Sequence, residues 1–171
     1  MSRTAARRVR LFVALLWGAI AGLFSSVNGA VADAVSAVPR FASLASDKVF
    51  MREGPTYGHP ILWVYHRKGL PVEVLAQYDV WRRVRDAEGT TGWVHSAMIA
   101  ETRTILVIAK SRVPVRRSED PRSQILALAQ PGVVAKLEAC AVAACEIEVA
   151  GTEGWIDKND IWGVKLGELF H

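Results

Sequence analysis

The sequence predicts an all-β protein of two small barrels or sandwiches, packed together behind a cleavable leader. Three observations predict it. A basic, apolar leader opens the chain. One pattern of short strand runs and turns is then written twice, and no stretch beyond the leader sustains a helical period. The 171 residues are 51% hydrophobic, which excludes a disordered or fibrous chain. The length excludes a large multidomain enzyme.

Residues 1–34 read as a signal peptide. Arg3, Arg7, Arg8 and Arg10 form its positive start, and Leu11 to Phe24 are apolar apart from Gly18 and Gly22. That run is too short for a spanning helix, which takes about 20 residues. Small-x-small sites follow at Ala30-Val31-Ala32 and Ala32-Asp33-Ala34. Cleavage is expected after Ala34, with Ala32 the competing site and an uncleaved anchor the alternative. No cysteine lies nearby, so a lipoprotein anchor is not expected. The rest of the chain has no second long apolar run, and the expected location is the periplasm or the cell exterior.

The leader also explains the charge. The chain carries 21 Lys+Arg and 17 Asp+Glu. Without the four Arg and one Asp of the leader, 17 basic and 16 acidic groups remain. A net of +1 gives no reason to expect a polyanionic partner. Export argues further against nucleic acid, and no membrane contact is expected once the leader is cleaved.

Cys140 and Cys145 are the only cysteines. In an oxidising compartment an even, close pair reads as a disulfide, here in a tight loop between antiparallel strands. Free or metal-binding thiols are the alternative. His59, His66, His95 and His171 show no ligand spacing to the pair, so no metal site is expected.

The internal repeat has a period of about 62–64 residues. Met51-Arg52 recurs as Val115-Arg116, Lys68–Val72 loosely as Gln130–Val134, Arg82–Val84 as Cys145–Ile147, and Gly92-Trp93-Val94 as Gly154-Trp155-Ile156. Within each unit the strand runs are short and bounded by Gly, Pro and Asp. Ala87 to Gly92 reads as a hairpin turn, with Gly89 and Gly92 supplying backbone freedom. Residues 35–47 read as a loose entry segment, 48–104 as the first repeat, 105–163 as the second and 164–171 as a tail. A lone barrel of about 60 residues is marginal. The two are therefore expected to pack as a compact pair sharing a core, with the disulfide stapling the second.

The motifs Val49–Pro55, Gly69–Val74, Trp81–Val84 and Gly92–Val94, in that order, resemble the bacterial SH3-like domain. The likeness covers about 48–100 closely and 110–162 loosely. The layout is similar to tandem SH3-like exported proteins of alphaproteobacteria, in which a paired-Cys hairpin and a closing Leu/Ile-Trp-Gly occur, here Ile161-Trp162-Gly163. The resemblance implies a five-to-six-stranded barrel per repeat. It also implies a binding module rather than a catalyst, often for cell-wall peptide, with ligand held in a shallow aromatic groove between loops.

Aromatic residues suit such a groove because they offer rigid contact area. The candidates are Tyr57, Trp63, Tyr65, Tyr78 and Trp81, all in the first repeat. Trp81 and Val84 are three apart on one strand, so if Val84 is core, Trp81 faces out. It then lies in a groove or is covered, by Tyr57 or by the second barrel. Arg83 and Arg85 share its face and could meet a carboxylate, or belong to a solvated ion-paired surface with Asp79, Asp86 and Glu88. Trp93 and Trp155 recur and read as parts of the fold, as does Trp162, expected to close the second barrel. Arg52 and Arg116 recur at the base of a loop, where pairing with carboxylates or loop carbonyls is expected. The position aligned with Trp81 is Ala144, so the second repeat is expected to lack the groove.

No nucleophile elbow, zinc-protease pair or phosphate loop is present. His59, His66 and His95 read as isolated surface residues or backbone partners. The expectation is an exported, non-catalytic module without cofactor that recognises peptidoglycan peptide or glycan through Tyr57, Trp63, Tyr65, Trp81 and Arg83. The alternative is a periplasmic adaptor or regulator that binds an exported protein segment.

Overall fold

Alternation of apolar and polar side chains sets the strands. The computed structural model describes residues 37–171, and the leader with both cleavage sites lies outside them. The first seven strands are β1 Arg40–Leu44, β2 Val49–Arg52, β3 Ile61–Tyr65, β4 Pro71–Tyr78, β5 Trp81–Arg85, β6 Thr91–His95 and β7 Ile99–Ala100. The next seven are β8 Thr104–Val107, β9 Val113–Arg116, β10 Ile125–Ala129, β11 Val134–Cys140, β12 Ala144–Val149, β13 Thr152–Asp157 and β14 Ile161–Trp162. One-turn 3-10 helices at Ser96–Met98 and Lys158–Asp160 precede β7 and β14. No α-helix occurs among the described residues, as the all-β reading requires.

The two sheets have the same topology, β3-β2-β6-β5-β4-β1-β7 and β10-β9-β13-β12-β11-β8-β14. The repeat extends to irregularities: the β4–β5 register shifts between Val74 and Ala76, and the β11–β12 register between Leu137 and Ala139. Bulges at matching places bend both long hairpins the same way.

Four expectations are corrected. Residues 40–44, read as part of a loose entry segment, form β1, which pairs with β4 and β7 and buries Phe41, Ala42 and Leu44. Each barrel thereby has seven strands, one of them only two residues long, rather than five or six. The shared core is two separate cores. One is built on Leu44, Val49, Met51, Val72, Val84 and Val94, the other on Ile105, Val115, Leu137, Ile147, Ile156 and Ile161. Gly92 has no positive φ; its lack of a side chain is required by close packing instead, whereas Gly89 does sit at φ +89°.

The barrels meet through one aromatic pair and several polar contacts. Phe41 packs edge-on against Trp162, with ring centres 5.1 Å apart. Trp162 therefore joins the barrels, beyond closing the second. Thr104 Oγ1 donates to the Gly69 carbonyl at 2.7 Å, and Arg67 Nη1 to that of Gly132 at 2.7 Å. The described residues accordingly belong to one compact unit.

The disulfide forms: Cys140 and Cys145 face each other across the β11–β12 hairpin. Its outer edge receives the chain terminus. Phe170 and Cys140 exchange backbone hydrogen bonds of 2.8 and 3.3 Å. Buried Lys158 donates 2.5 Å bonds to the carbonyls of Ala141 and Glu168, and Arg103 pairs with Glu168 at 2.8 Å. Burial alone would raise the Glu168 pKa. Hydrogen bonds from Arg103 and the Lys165 amide, with the Arg103 charge, outweigh it and leave the carboxyl below its ordinary 4.5.

Two outcomes follow from this packing. The Cys140–Cys145 bridge closes a short loop, worth about 2 kcal/mol on the chain-entropy account, so its reduction lowers Tm by about 5 °C in calorimetry. An unchanged Tm on verified reduction would remove its structural role. A depressed native pKa means that the stability from Glu168 is complete above pH 4.5 and is lost as pH falls through the native value. The amide protection of Phe170 and Cys140 therefore falls in that acid window, and Glu168→Gln abolishes the step.

Candidate functional site

The outer face of the first barrel carries what its inner face excludes. On β2, Val49 and Met51 are buried, so Phe50 and Arg52 face out. On β5 the core residue is Val84, and Trp81 and Arg83 take the other face. β6 adds Trp93 and His95. The register sets Trp81 opposite His95, and places Trp93 opposite both Arg52 and Arg83.

Tyr57 reaches this face from the loop between β2 and β3. Arg52 Nη1 donates to the carbonyls of Tyr57 at 3.0 Å and His59 at 2.7 Å, which fixes the loop as the base-of-loop reading anticipates. The Arg52 guanidinium also lies 5.7 Å from the Tyr57 ring centre. Arg116 repeats the device on Ser123, at 2.9 Å.

Three rings then close into a cluster. Tyr57 meets Trp81 edge-on at 5.0 Å and stacks on His95 at 5.9 Å, and His95 meets Trp81 at 5.5 Å. His95 is held by its own backbone: Nδ1 accepts from the Ala97 amide at 3.1 Å, capping the 3-10 turn. Both sequence alternatives for Trp81 are realised together. Its indole is only 5% exposed, roofed by Tyr57 and His95, yet it forms the wall of a groove. That groove has a volume of about 320 Å³ and is lined by Lys48, Phe50, Arg52, Tyr57, Trp81, His95, Ala97 and Met98. Tyr57 stands at its rim, 68% exposed.

The remaining sequence candidates go elsewhere. Tyr65 is a core residue: its ring is buried, and its hydroxyl donates to Asp86 Oδ2 at 2.9 Å. Burial, then that bond and the Asp86 charge, raise its pKa far above the ordinary phenol value. It therefore has no place in the Trp81 groove and lines a separate cleft instead. Trp63 lies half exposed on β3, in a separate cleft beside Leu106 of the second barrel. Tyr78 sits exposed at the β4–β5 turn. Arg83 is exposed next to Trp93, without an ionic partner among the described residues, whereas Arg85 pairs with buried Glu73. The sequence reading does not assign Lys48, Phe50 or Met98 to the groove, and it takes His95 for an isolated surface residue or backbone partner, of which the backbone bond is present and the isolation is not. Alternation against Val49 and Met51 was the available signal for Phe50.

The second barrel corrects another expectation, because it does have a groove in the same place, of about 220 Å³. Pro114 and Arg116 line it as Phe50 and Arg52 line the first. Ala144 stands where Trp81 does, and Trp155 is the one aromatic ring of the lining. Asp157 takes the place of His95 and caps the next turn through the Asn159 amide at 2.8 Å. Asp160 and Glu119 complete an acidic lining, and burial, then the Asp157 charge, raise the Asp160 pKa.

The family model for the bacterial SH3 domain matches residues 45–101 and again 109–163. The chain belongs to the bacterial SH3 domain family. No curated protein matches it. Among solved structures it is similar to NlpC2 from Trichomonas vaginalis, at 11% identity and TM-score 0.34 over 72% of this chain and 48% of that one. It is also similar to NlpC1 from the same organism, at 12% identity and TM-score 0.34 over 76% and 48%. The chain thus spans about half the length of either. Bacterial SH3 domains are binding modules, and in this tandem pair a groove recurs at equivalent places on the two modules.

The Arg52 anchor gives a test of how the groove is held. Arg52→Ala frees two loop carbonyls, at a cost of about 1 kcal/mol, since water can replace an exposed bond. Tyr57 then leaves Trp81, and the NOE between the two rings disappears. A retained NOE would mean that the loop needs no arginine.

Proposed function

We propose that this tandem bacterial SH3 protein is a non-catalytic binding module that holds cell-wall peptide or glycan in the groove of its first barrel. The observation that carries the reading is the clustering of Phe50, Tyr57, Trp81 and His95 around one open groove, with Arg52 bracing the loop. Such a surface offers apolar area on rings already fixed by neighbours, so little entropy is lost when an extended chain or a sugar face settles on it. Membership of a binding-domain family supports the same reading. The disulfide fits an oxidising compartment, and no helix of the described residues is long and apolar enough to cross a membrane.

The test is co-sedimentation with purified sacculi. The protein pellets with them, and Tyr57→Ala, an exposed substitution, reduces the bound fraction about tenfold at an unchanged Tm. Failure of the wild-type protein to pellet, or a Tyr57→Ala variant that pellets equally, overturns the reading.

A second reading, a periplasmic adaptor for an exported protein segment, draws on a different observation. β3 and β10 each lie at one edge of their sheet, and Ile61, Leu62, Trp63, Ile125, Leu126 and Leu128 stand exposed along them without a charge. An uncharged edge of this kind accepts an added strand from an extended segment. A charge placed there, Leu62→Lys, disrupts partner capture under this reading and leaves sacculus binding intact under the first.

A further inference from the structure

The groove of the first barrel carries positive charge and no negative charge. Lys48 and Arg52 line it, and no Asp or Glu does. Lys48 has no ionic partner among the described residues; its ammonium rests 5.3 Å from the Phe50 ring centre. Arg52 gives Nη1 to the loop carbonyls, and its other guanidinium nitrogens have no partner among the described residues. In the equivalent groove of the second barrel the balance is reversed, with Glu119, Asp157 and Asp160 against Arg116 alone in its lining. The two grooves share an origin and a position in the fold, so the difference lies in the charge each presents.

We infer that the first groove recognises a carboxylate on its ligand, with Lys48 as the principal contact and Arg52 beside it. The apolar part of the ligand then lies across Phe50, Tyr57 and Met98. The inference rests on the wall-binding reading, and the source it commits to is a free carboxylate of the wall's stem peptide. A neutral sugar face would be served by the rings alone, whereas an ammonium and a guanidinium beside them complement an anion. The second groove excludes the same group, because three carboxylates there repel it.

The experiment is calorimetric titration with soluble disaccharide-peptide fragments of the wall, with their carboxylates free or amidated. Amidation is expected to weaken binding about tenfold, the effect of one charge-assisted contact. Lys48→Gln, an exposed substitution, reproduces that loss and removes the discrimination between the two fragments. Met98→Asp, which gives the first groove the residue of the second, also abolishes binding of the free-carboxylate fragment; because Met98 packs against the first core, its binding is read at a temperature where circular dichroism shows the variant folded. Equal affinity for both fragments, in a protein that still pellets with sacculi, overturns the carboxylate and leaves wall binding standing. No fragment bound and no pelleting overturns the wall reading itself. An acidic protein peptide that binds under those conditions overturns the stem peptide as the source.

Discussion

Closure of each barrel depends on a backbone approach that tolerates no side chain. A Cβ on Gly92 would lie 2.9 Å from the Arg52 carbonyl, and one on Gly154 would lie 2.8 Å from that of Arg116. Contacts so short against backbone cannot be relieved by a rotamer change, so β6 reaches β2, and β13 reaches β9, only through glycine. The next residue on each strand is tryptophan, opposite the arginine whose carbonyl the glycine passes. Closure therefore places the loop-bracing arginine and the outer-face rings side by side. The groove depends on it: without contact between β2 and β6, Phe50 and Arg52 would not stand on one surface with Trp81 and His95.

The same constraint separates what repeats from what diverges. Inner faces repeat in kind, Val49 and Met51 answering Val113 and Val115, because each barrel must exclude water from an equally small core. Outer faces carry no such demand once the glycine and the arginine are in place. There Trp81 is answered by Ala144 and His95 by Asp157. The capping role survives the second exchange, since an imidazole nitrogen and a carboxylate oxygen both accept a backbone N–H. The histidine can thus be traded for a charge without loss of the turn, and the groove changes sign on an unchanged frame.

Much of the fold was legible because its signals are local. The order of the motifs, the turn glycine at 89, the disulfide and the outward turn of Trp81 all follow from spacing and alternation within a few residues. β1 was not legible. Its partners β4 and β7 lie about 30 and 55 residues further on, and a strand defined by distant pairing leaves little mark on its own composition. The site divided in the same way. Tyr57 and Trp81 were found, and alternation contained Phe50. The meeting of His95 with Trp81 is a cross-strand contact, visible only once register is known. Tyr65 misled because an aromatic near a loop reads alike whether its hydroxyl faces water or a buried carboxylate; Asp86 decides it.

The pairing of the barrels bears on how two unlike grooves act together. Each barrel has its own core, so neither needs the other to bury its apolar interior. What joins them is the Phe41–Trp162 contact and hydrogen bonds to the turn carbonyls of Gly69 and Gly132. These contacts add less apolar burial than a shared core but are directional, and directional contacts restrict rotation between two bodies. Arg103 strengthens the restriction. It stacks on Phe41 of the first barrel and on Phe170 of the terminal segment, while its guanidinium holds Glu168 and the Gly163 carbonyl. One side chain ties the first barrel, the second and the tail at a single point. The tail in turn leans on the edge of the disulfide hairpin, so the staple in the second barrel also supports the joint. The two grooves are therefore held at one bearing to each other, with acidic side chains prevailing in one lining and basic ones in the other.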